Sequence, residues 1–349
     1  MSGKKIKITI GIIIIIVALC FAVFYWMTSP VEKNNDSQVI VKIEQGSGIA
    51  DIANTLEDKG LVKSALGFRV KVKISGEESK LQAGTYALER SMSMDDIINI
   101  IATGKTAGKT FTIVEGLTLD KIADQLVSQN ICTKKDFYKE VKDGSFDYKF
   151  MKYLPKGATR LEGFLYPNTY SIALGSSAHE AIDAMLKQFD NVVTSDYYTA
   201  AKKMNMNIFE IVTVASIIER ESSKTSDKAK VASVIYNRLD KNMYLQMDSI
   251  ISYINKEDKV IATYGDIAVD SDYNPYKNKG LPPGPICSPG IKSIYAALNP
   301  DDTKYLYFVN SSKLNGSLAF AETDTEFAKD KAAFEKAYAK YLKEHPEEK

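Results

Sequence analysis

The chain has 349 residues, with 45 basic against 44 acidic side chains, only two histidines and only three cysteines. That length allows two or three domains. The balanced charge, with no basic block beyond the N-terminus, argues against nucleic acid as a partner. His179 and His345 are isolated and no Cys/His cluster has ligand spacing, which argues against a Ser-His-Asp or Cys-His machine and against a metal site.

The first element is an uninterrupted apolar run from Ile8 to Met27, of the length that spans a bilayer. Lys4, Lys5 and Lys7 precede it, and Tyr25 and Trp26 close it as interface residues do. The positive-inside rule predicts a cytoplasmic tail over 1–7, one transmembrane helix over 8–27, and an extracytoplasmic remainder. A cleaved signal peptide competes with this reading, but no small-x-small site follows at Trp26-Met27-Thr28. A lipoprotein signal at Cys20 is poor, because Leu19 precedes it. Whether Cys132 and Cys287 pair stays open.

A polar linker over 28–38 leads into two similar units. An alternating strand (Val39–Ile43; Thr110–Val114) precedes a Gly turn, then a short amphipathic helix closed by Gly60 or Asn130, both suited to a left-handed cap. A shift of 70 positions aligns Gly46 with Gly116, Ile52-Ala53 with Ile122-Ala123, Leu56 with Leu126 and Leu61 with Ile131. The first unit continues through Gly84–Leu88 into a helix with Met94, Ile97, Ile98 and Ile101; the second runs through Asn168–Ile172 into a helix with Ala181, Ile182, Met185 and Leu186. Two accounts fit, an internal duplication and a generic strand-turn-helix resemblance, and the aligned positions favour duplication.

Residues 207–242 read as a helical pair. The first helix is apolar on nearly every face and ends Ser216-Ile217-Ile218-Glu219-Arg220-Glu221, so it is expected to be buried. A carboxyl at the end of such a helix is costly to ionise, and one held protonated can give a proton to a leaving-group oxygen. Glu219 is the candidate acid; an ordinary helix-terminal salt bridge is the alternative. Glu219 and Glu221 lie about 200° apart around a helix, so one small site cannot hold both. The second helix is expected to start with Ser226 or Thr225 as N-cap, with Val231, Val234, Ile235 and Leu239 on its core stripe. A long Pro/Gly/Asn loop over 270–290, a strand over Tyr305–Val309 and a charged helix from Asp324 to about Lys343 complete the chain.

One ordered set of motifs is specific. It comprises Leu161-Glu162-Gly163-Phe164-Leu165-Tyr166-Pro167-Asn168-Thr169-Tyr170, then S-I-I-E-R-E at 216–221, V-A-S-V-I-Y-N-R-L at 231–239, Leu245-Gln246-Met247-Asp248, G-L-P-P-G-P-I-C-S-P-G at 280–290 and Y-L-Y-F-V at 305–309. The set resembles the YceG-like (MltG-type) endolytic murein transglycosylases over nearly the whole chain after the linker. One departure is Asp248-Ser249-Ile250, where the family often has Asp-Pro-Thr.

The resemblance implies an α+β fold: the single span, a small LysM-like α/β module over 39–105 and a larger mixed α+β catalytic region over 108–345. It implies cleavage of the MurNAc-β-1,4-GlcNAc bond within glycan strands to leave 1,6-anhydro ends, with Glu219 as acid and then base. It implies no cofactor, and penicillin-binding and cell-elongation or division proteins as partners. One carboxylate suffices because the nucleophile, the muramic acid C6 hydroxyl, is intramolecular. Asn237, Gln246, Asp248 and Tyr253 are the candidates for supporting the oxocarbenium-like state, and each has a structural alternative: Asn237 bonding backbone, Tyr253 in the core, Asp248 paired with Arg238. A two-carboxylate muramidase using Asp248 and a non-catalytic glycan-binding scaffold are the competing functions.

Overall fold

A computed structural model describes residues 3–257 and 264–345. Residues 1 and 2 of the expected tail lie outside them, and side chains are described from residue 9 onward. The chain divides into two compact units, one of residues 1–110 with 171–176, the other of 111–170 with 177–349.

In the first unit, α1 (Gly3–Thr28) carries an apolar stretch, Thr9–Thr28, long enough to cross a membrane; a signal sequence has the same character. Beyond it come β1 (Gln38–Ile43), α2 (Ile49–Asp58), α3 (Ala65–Ser75), β2 (Gly84–Glu89) and α4 (Met94–Ala102). β1 and β2 pair antiparallel, from Gln38 opposite Glu89 to Ile43 opposite Gly84. Side chains alternate across a strand, so Val41, Ile43, Tyr86 and Leu88 share the inner face. Ile52, Leu56, Phe68, Val72, Ile97 and Ile101 close the core over them. Ser93 and Asp96 form a capping box that starts α4.

β3 (Gly108–Ile113), α5 (Leu119–Ser128), α6 (Lys134–Asp143), β4 (Asn168–Ala173) and α7 (Ala178–Val192) repeat that order, and β3 pairs with β4. The offset of 70 is carried by the elements themselves: β1 and β3, and α2 and α5, have bounds 70 positions apart. Gly46 and Gly116 share a left-handed backbone, with φ of 87° and 82°. Gly60 and Asn130 are left-handed as expected, at 65° and 52°.

The second unit also holds α8 (Ser195–Lys203), α9 (Ile208–Glu221), α10 (Thr225–Asp240), α11 (Asp248–Asn255), α12 (Tyr264–Ile267), α13 (Ile291–Leu298), β5 (Tyr307–Asn310), β6 (Leu318–Ala321) and α14 (Asp324–Glu344). α9 is the central helix, buried at every residue from Ile211 to Ile218, and α10, α11 and α13 pack around it. Asn207 starts it, accepting from the Phe209 and Glu210 N–H groups. α10 begins one or two residues earlier than expected, with Lys224 at the N-cap in place of Thr225 or Ser226. Gly163 is left-handed at φ 85°, and a Cβ there would stand 2.5 Å from Pro285, so the Leu-Glu-Gly motif and the Pro-rich loop meet at a site only glycine fits. β5 and β6 form an antiparallel hairpin, Tyr307 opposite Ala321, covered by α14. All three cysteines are free, so Cys132 and Cys287 do not pair.

Candidate active site

The two glutamates at the end of α9 enter different surroundings. Glu219 Oε1 accepts from Lys228 Nζ at 3.0 Å, and Oε2 accepts from the Gly290 N–H at 3.0 Å and the Ser293 hydroxyl at 2.7 Å. Lys228 also donates to Ser293 Oγ at 2.7 Å. The Glu219 and Lys228 side chains are only 10% and 6% exposed. Glu219 therefore sits at the N-terminal end of α13. The apolar surroundings expected for this residue are not found: α10 and α13 bring a cation and two further donors to it. Glu219 is part of a helix-terminal salt bridge.

Gly290 has a second neighbour. A Cβ on it would lie 1.9 Å from Glu115 Oε1, so the Ser-Pro-Gly end of the loop must end in glycine. The Glu115-Gly116-Leu117 turn is pinned by Gly116 N–H to Ser288 O at 2.9 Å and Ser288 N–H to Leu117 O at 2.8 Å.

Glu221 opens on a cleft of about 530 Å³. Arg238, Gln246, Asp248, Tyr276 and Tyr307 line it, and Phe327 and Phe334 of α14 face them. Burial pushes the Glu221 carboxyl pKa up; hydrogen bonding from Ser249 opposes the rise, the Asp248 charge adds to it, and Arg220 lowers it. The Ser249 N–H bond is long, at 3.4 Å. Asp248 Oδ1 accepts from the Tyr276 hydroxyl at 2.5 Å. Gln246 is exposed and holds a left-handed backbone, φ 49°, with its N–H on Pro275 O at 3.2 Å. Non-glycine residues seldom adopt that conformation, and those that do concentrate at functional sites. Arg238 holds the floor, donating to Leu306 O at 2.6 Å and Leu245 O at 2.5 Å beneath the Tyr307 ring.

Of the four residues expected to touch substrate, Gln246 and Asp248 line this cleft. Asn237 does not: its amide donates to Thr303 O and Tyr305 O, both at 2.9 Å, and ties α10 to the segment before β5. Nor does Tyr253, whose hydroxyl donates to Glu162 Oε2 at 3.2 Å. Glu162, the glutamate of the Leu-Glu-Gly motif, also accepts from Leu119 N–H at 2.9 Å at the start of α5. Burial pushes its carboxyl up to about 8. Asp248 is bonded to Tyr276 rather than to Arg238.

The sequence reading missed Lys228, Tyr276 and the α14 aromatics. A signal existed for the lysine: Lys228, Val231 and Ile235 stand at i, i+3 and i+7, a charge within a core stripe. No described group of His, Cys, Asp and Glu side chains could hold a metal ion.

Two carboxyl groups, Glu221 and Asp248, sharing an aromatic-walled cleft are the arrangement of a carbohydrate-cleaving enzyme. A sequence profile of the YceG-like family matches residues 41–333, and the chain belongs to that family. It is 37% identical over 321 residues to the endolytic murein transglycosylase of Bacillus subtilis (strain 168), covering 88% of each chain. It is 37% identical over 308 residues to the endolytic murein transglycosylase of Streptococcus pneumoniae D39, covering 80% of this chain and 55% of that longer one. A 2.6 Å crystal structure of a putative yceG-like protein from Listeria monocytogenes superposes with a TM-score of 0.58 at 37% identity, over 84% of this chain and 99% of that one.

Proposed function

We propose that this chain, a lytic transglycosylase, cuts the MurNAc-β-1,4-GlcNAc bond inside peptidoglycan strands, with Glu221 as the acid. The observation that carries the assignment is the contrast between the glutamates. Glu221 lines the cleft and burial pushes its carboxyl pKa up, whereas Glu219 is nearly sealed from solvent and accepts from Lys228, Gly290 and Ser293.

Glu221 protonates the glycosidic oxygen and the C1–O bond breaks, releasing the leaving sugar as an alcohol. The resulting carboxylate takes the proton of the muramic acid C6 hydroxyl as that oxygen bonds to C1. The products are a 1,6-anhydro end and a regenerated acid, with no water consumed. The nucleophile belongs to the same sugar ring, which gives it a high effective molarity. Asp248 supports positive charge at C1, and Gln246, exposed at the cleft, orients a sugar. Glu219 is a positioning residue that locks α9, α10 and α13 together.

α1 serves as the membrane anchor with its N-terminus in the cytoplasm, and the unit over 39–105 serves as a LysM-like module. The enzyme then works on the outer face beside wall-synthesis proteins of the penicillin-binding, elongation or division machinery.

The test is a digest of purified glycan strands by the full chain in detergent, with mass spectrometry of the ends. Anhydro ends that vanish with Glu221→Gln support this assignment. Turnover that survives Glu221→Gln but vanishes with Glu219→Gln returns the acid role to Glu219. A second reading rests on Asp248, which shares the cleft with Glu221: a two-carboxylate muramidase. Hydrated reducing ends would select it, and glycan binding with no cleavage would select a scaffold.

A further inference from the structure

The first unit carries a surface that glycan cleavage does not explain. On α3, Leu66, Val70 and Ile74 are 61%, 38% and 71% exposed, although Phe68 and Val72 of the same helix are fully buried. Arg69 and Lys73 are exposed with them. Positions 66, 69, 70, 73 and 74 follow the i, i+3, i+4, i+7, i+8 pattern of one helical face. That face is apolar and basic, and α3 carries no acidic residue at all.

The face continues onto α1. Gly67 brings the two helices together, with an added Cβ standing 3.1 Å from Met27 Cβ. A crevice of about 360 Å³ lies between them, lined by Leu19, Val23 and Phe24 of α1 and by Leu66 and Val70 of α3. Lys63, just before α3, donates to Ser29 Oγ at 2.8 Å and lies 5.5 Å from the Trp26 ring centroid, at the outer end of the apolar run. Trp and Lys at that point mark the headgroup level.

We propose that α3 is an interfacial helix, lying in the outer headgroup layer of the bilayer that α1 crosses, with phospholipid acyl chains filling the α1–α3 crevice and Arg69 and Lys73 on anionic headgroups. The inference rests on the reading of α1 as an anchor. Three observations converge on lipid as the occupant. An apolar crevice open to water is unfavourable, whereas one beside a membrane-spanning helix is filled by hydrocarbon. The α3 side chains that flank the apolar stripe are cationic, as in helices that lie on anionic membranes, with Glu78, beyond the helix end, an acid beside them. A second copy is the poorer partner, because pairing two such faces would set Arg69 and Lys73 against their own equivalents. The consequence is positional: the small module is held against the membrane instead of swinging on a free linker.

The test uses the full chain in vesicles of phosphatidylglycerol and phosphatidylcholine. Trp26→Phe removes the only tryptophan, and Ile74→Trp or Lys59→Trp then supplies a single indole reporter, on the proposed face or at the end of α2. Flotation of both variants with the vesicles checks the anchor independently; a chain that fails to float refutes the anchor reading and this inference with it. In floated protein, brominated acyl chains should quench the Ile74→Trp variant by roughly half or more, since interfacial helices sit about 5–10 Å deep, and leave the Lys59→Trp variant bright. Arg69→Glu with Lys73→Glu should then weaken the quenching in anionic vesicles. Floated Ile74→Trp protein as bright as floated Lys59→Trp protein overturns the proposal, as does an Ile74→Cys chain that crosslinks to a second copy while its face stays unquenched.

Discussion

The Glu219 carboxylate and the Lys228 ammonium lie 3.0 Å apart, nearly sealed from solvent between α9, α10 and α13. Removing both charges from such a pair is far milder than removing one, because a lone buried charge keeps its full desolvation cost. Lys228→Met should destabilise the second unit by about 3–5 kcal/mol. Adding Glu219→Gln to that variant should recover most of the loss, as read by urea denaturation. A double variant no more stable than Lys228→Met would mean that the pair does not hold the helices.

Glu221 should behave differently. Glu221→Gln should lower turnover by about 10²–10⁴-fold with little change in melting temperature. An acid must be protonated to act, so kcat falls as pH rises through its pKa. The raised pKa moves that alkaline limb above the ordinary carboxylate range. The Asp248 charge contributes to the rise, so Asp248→Asn should move the limb toward lower pH. A kcat–pH profile of the two proteins checks the direction; an unmoved limb would separate Asp248 from the acid.

Glu162 offers a stability signature in place of a rate. Its ordinary pKa of 4.5 is pushed up to about 8 in the fold, chiefly by burial, against bonds from Leu119 and Tyr253 that favour the charged form. Between about pH 4.5 and about 8 the folded protein holds a proton that the unfolded chain has lost. Stability therefore falls as pH rises through that window, by about 1.4 kcal/mol for each unit separating the two pKa values. Glu162→Gln keeps an acceptor for Leu119 and cannot ionise. Its unfolding free energy should be flatter than wild type across the window and higher at its upper end.

The repeated unit was legible because its glycines do the same backbone work 70 residues apart and its apolar spacing is helical in both copies. The buried helix α9 was legible for the same kind of reason, since apolar residues on all its faces allow no solvent side. What could not be read was which glutamate faces a cation. That depends on Lys228 in another helix and Ser293 in a third, and no local pattern links those positions. The partners of Asn237 and Tyr253 were hidden for the same reason: their polar atoms bond the Thr303 and Tyr305 carbonyls and Glu162, many residues away. Gln246 and Asp248 fall in the cleft with Glu221, and two aromatics from α14 complete its far side.

Gln246 separates stability from function most directly. Its φ of 49° is left-handed, a conformation glycine adopts without cost and glutamine does not. Gln246→Gly should relieve about 1 kcal/mol of backbone strain, offset in part by the greater freedom of glycine in the unfolded chain. Gln246→Ala keeps the strain and removes the amide. If the side chain orients a sugar, both variants should lose turnover on glycan strands, and only the glycine variant should hold or gain melting temperature. The pair distinguishes strain kept for substrate contact from strain that merely shapes the turn before α11. In the second case, the glycine variant would match the wild-type rate, and Gln246 would leave the list of groups that meet the glycan.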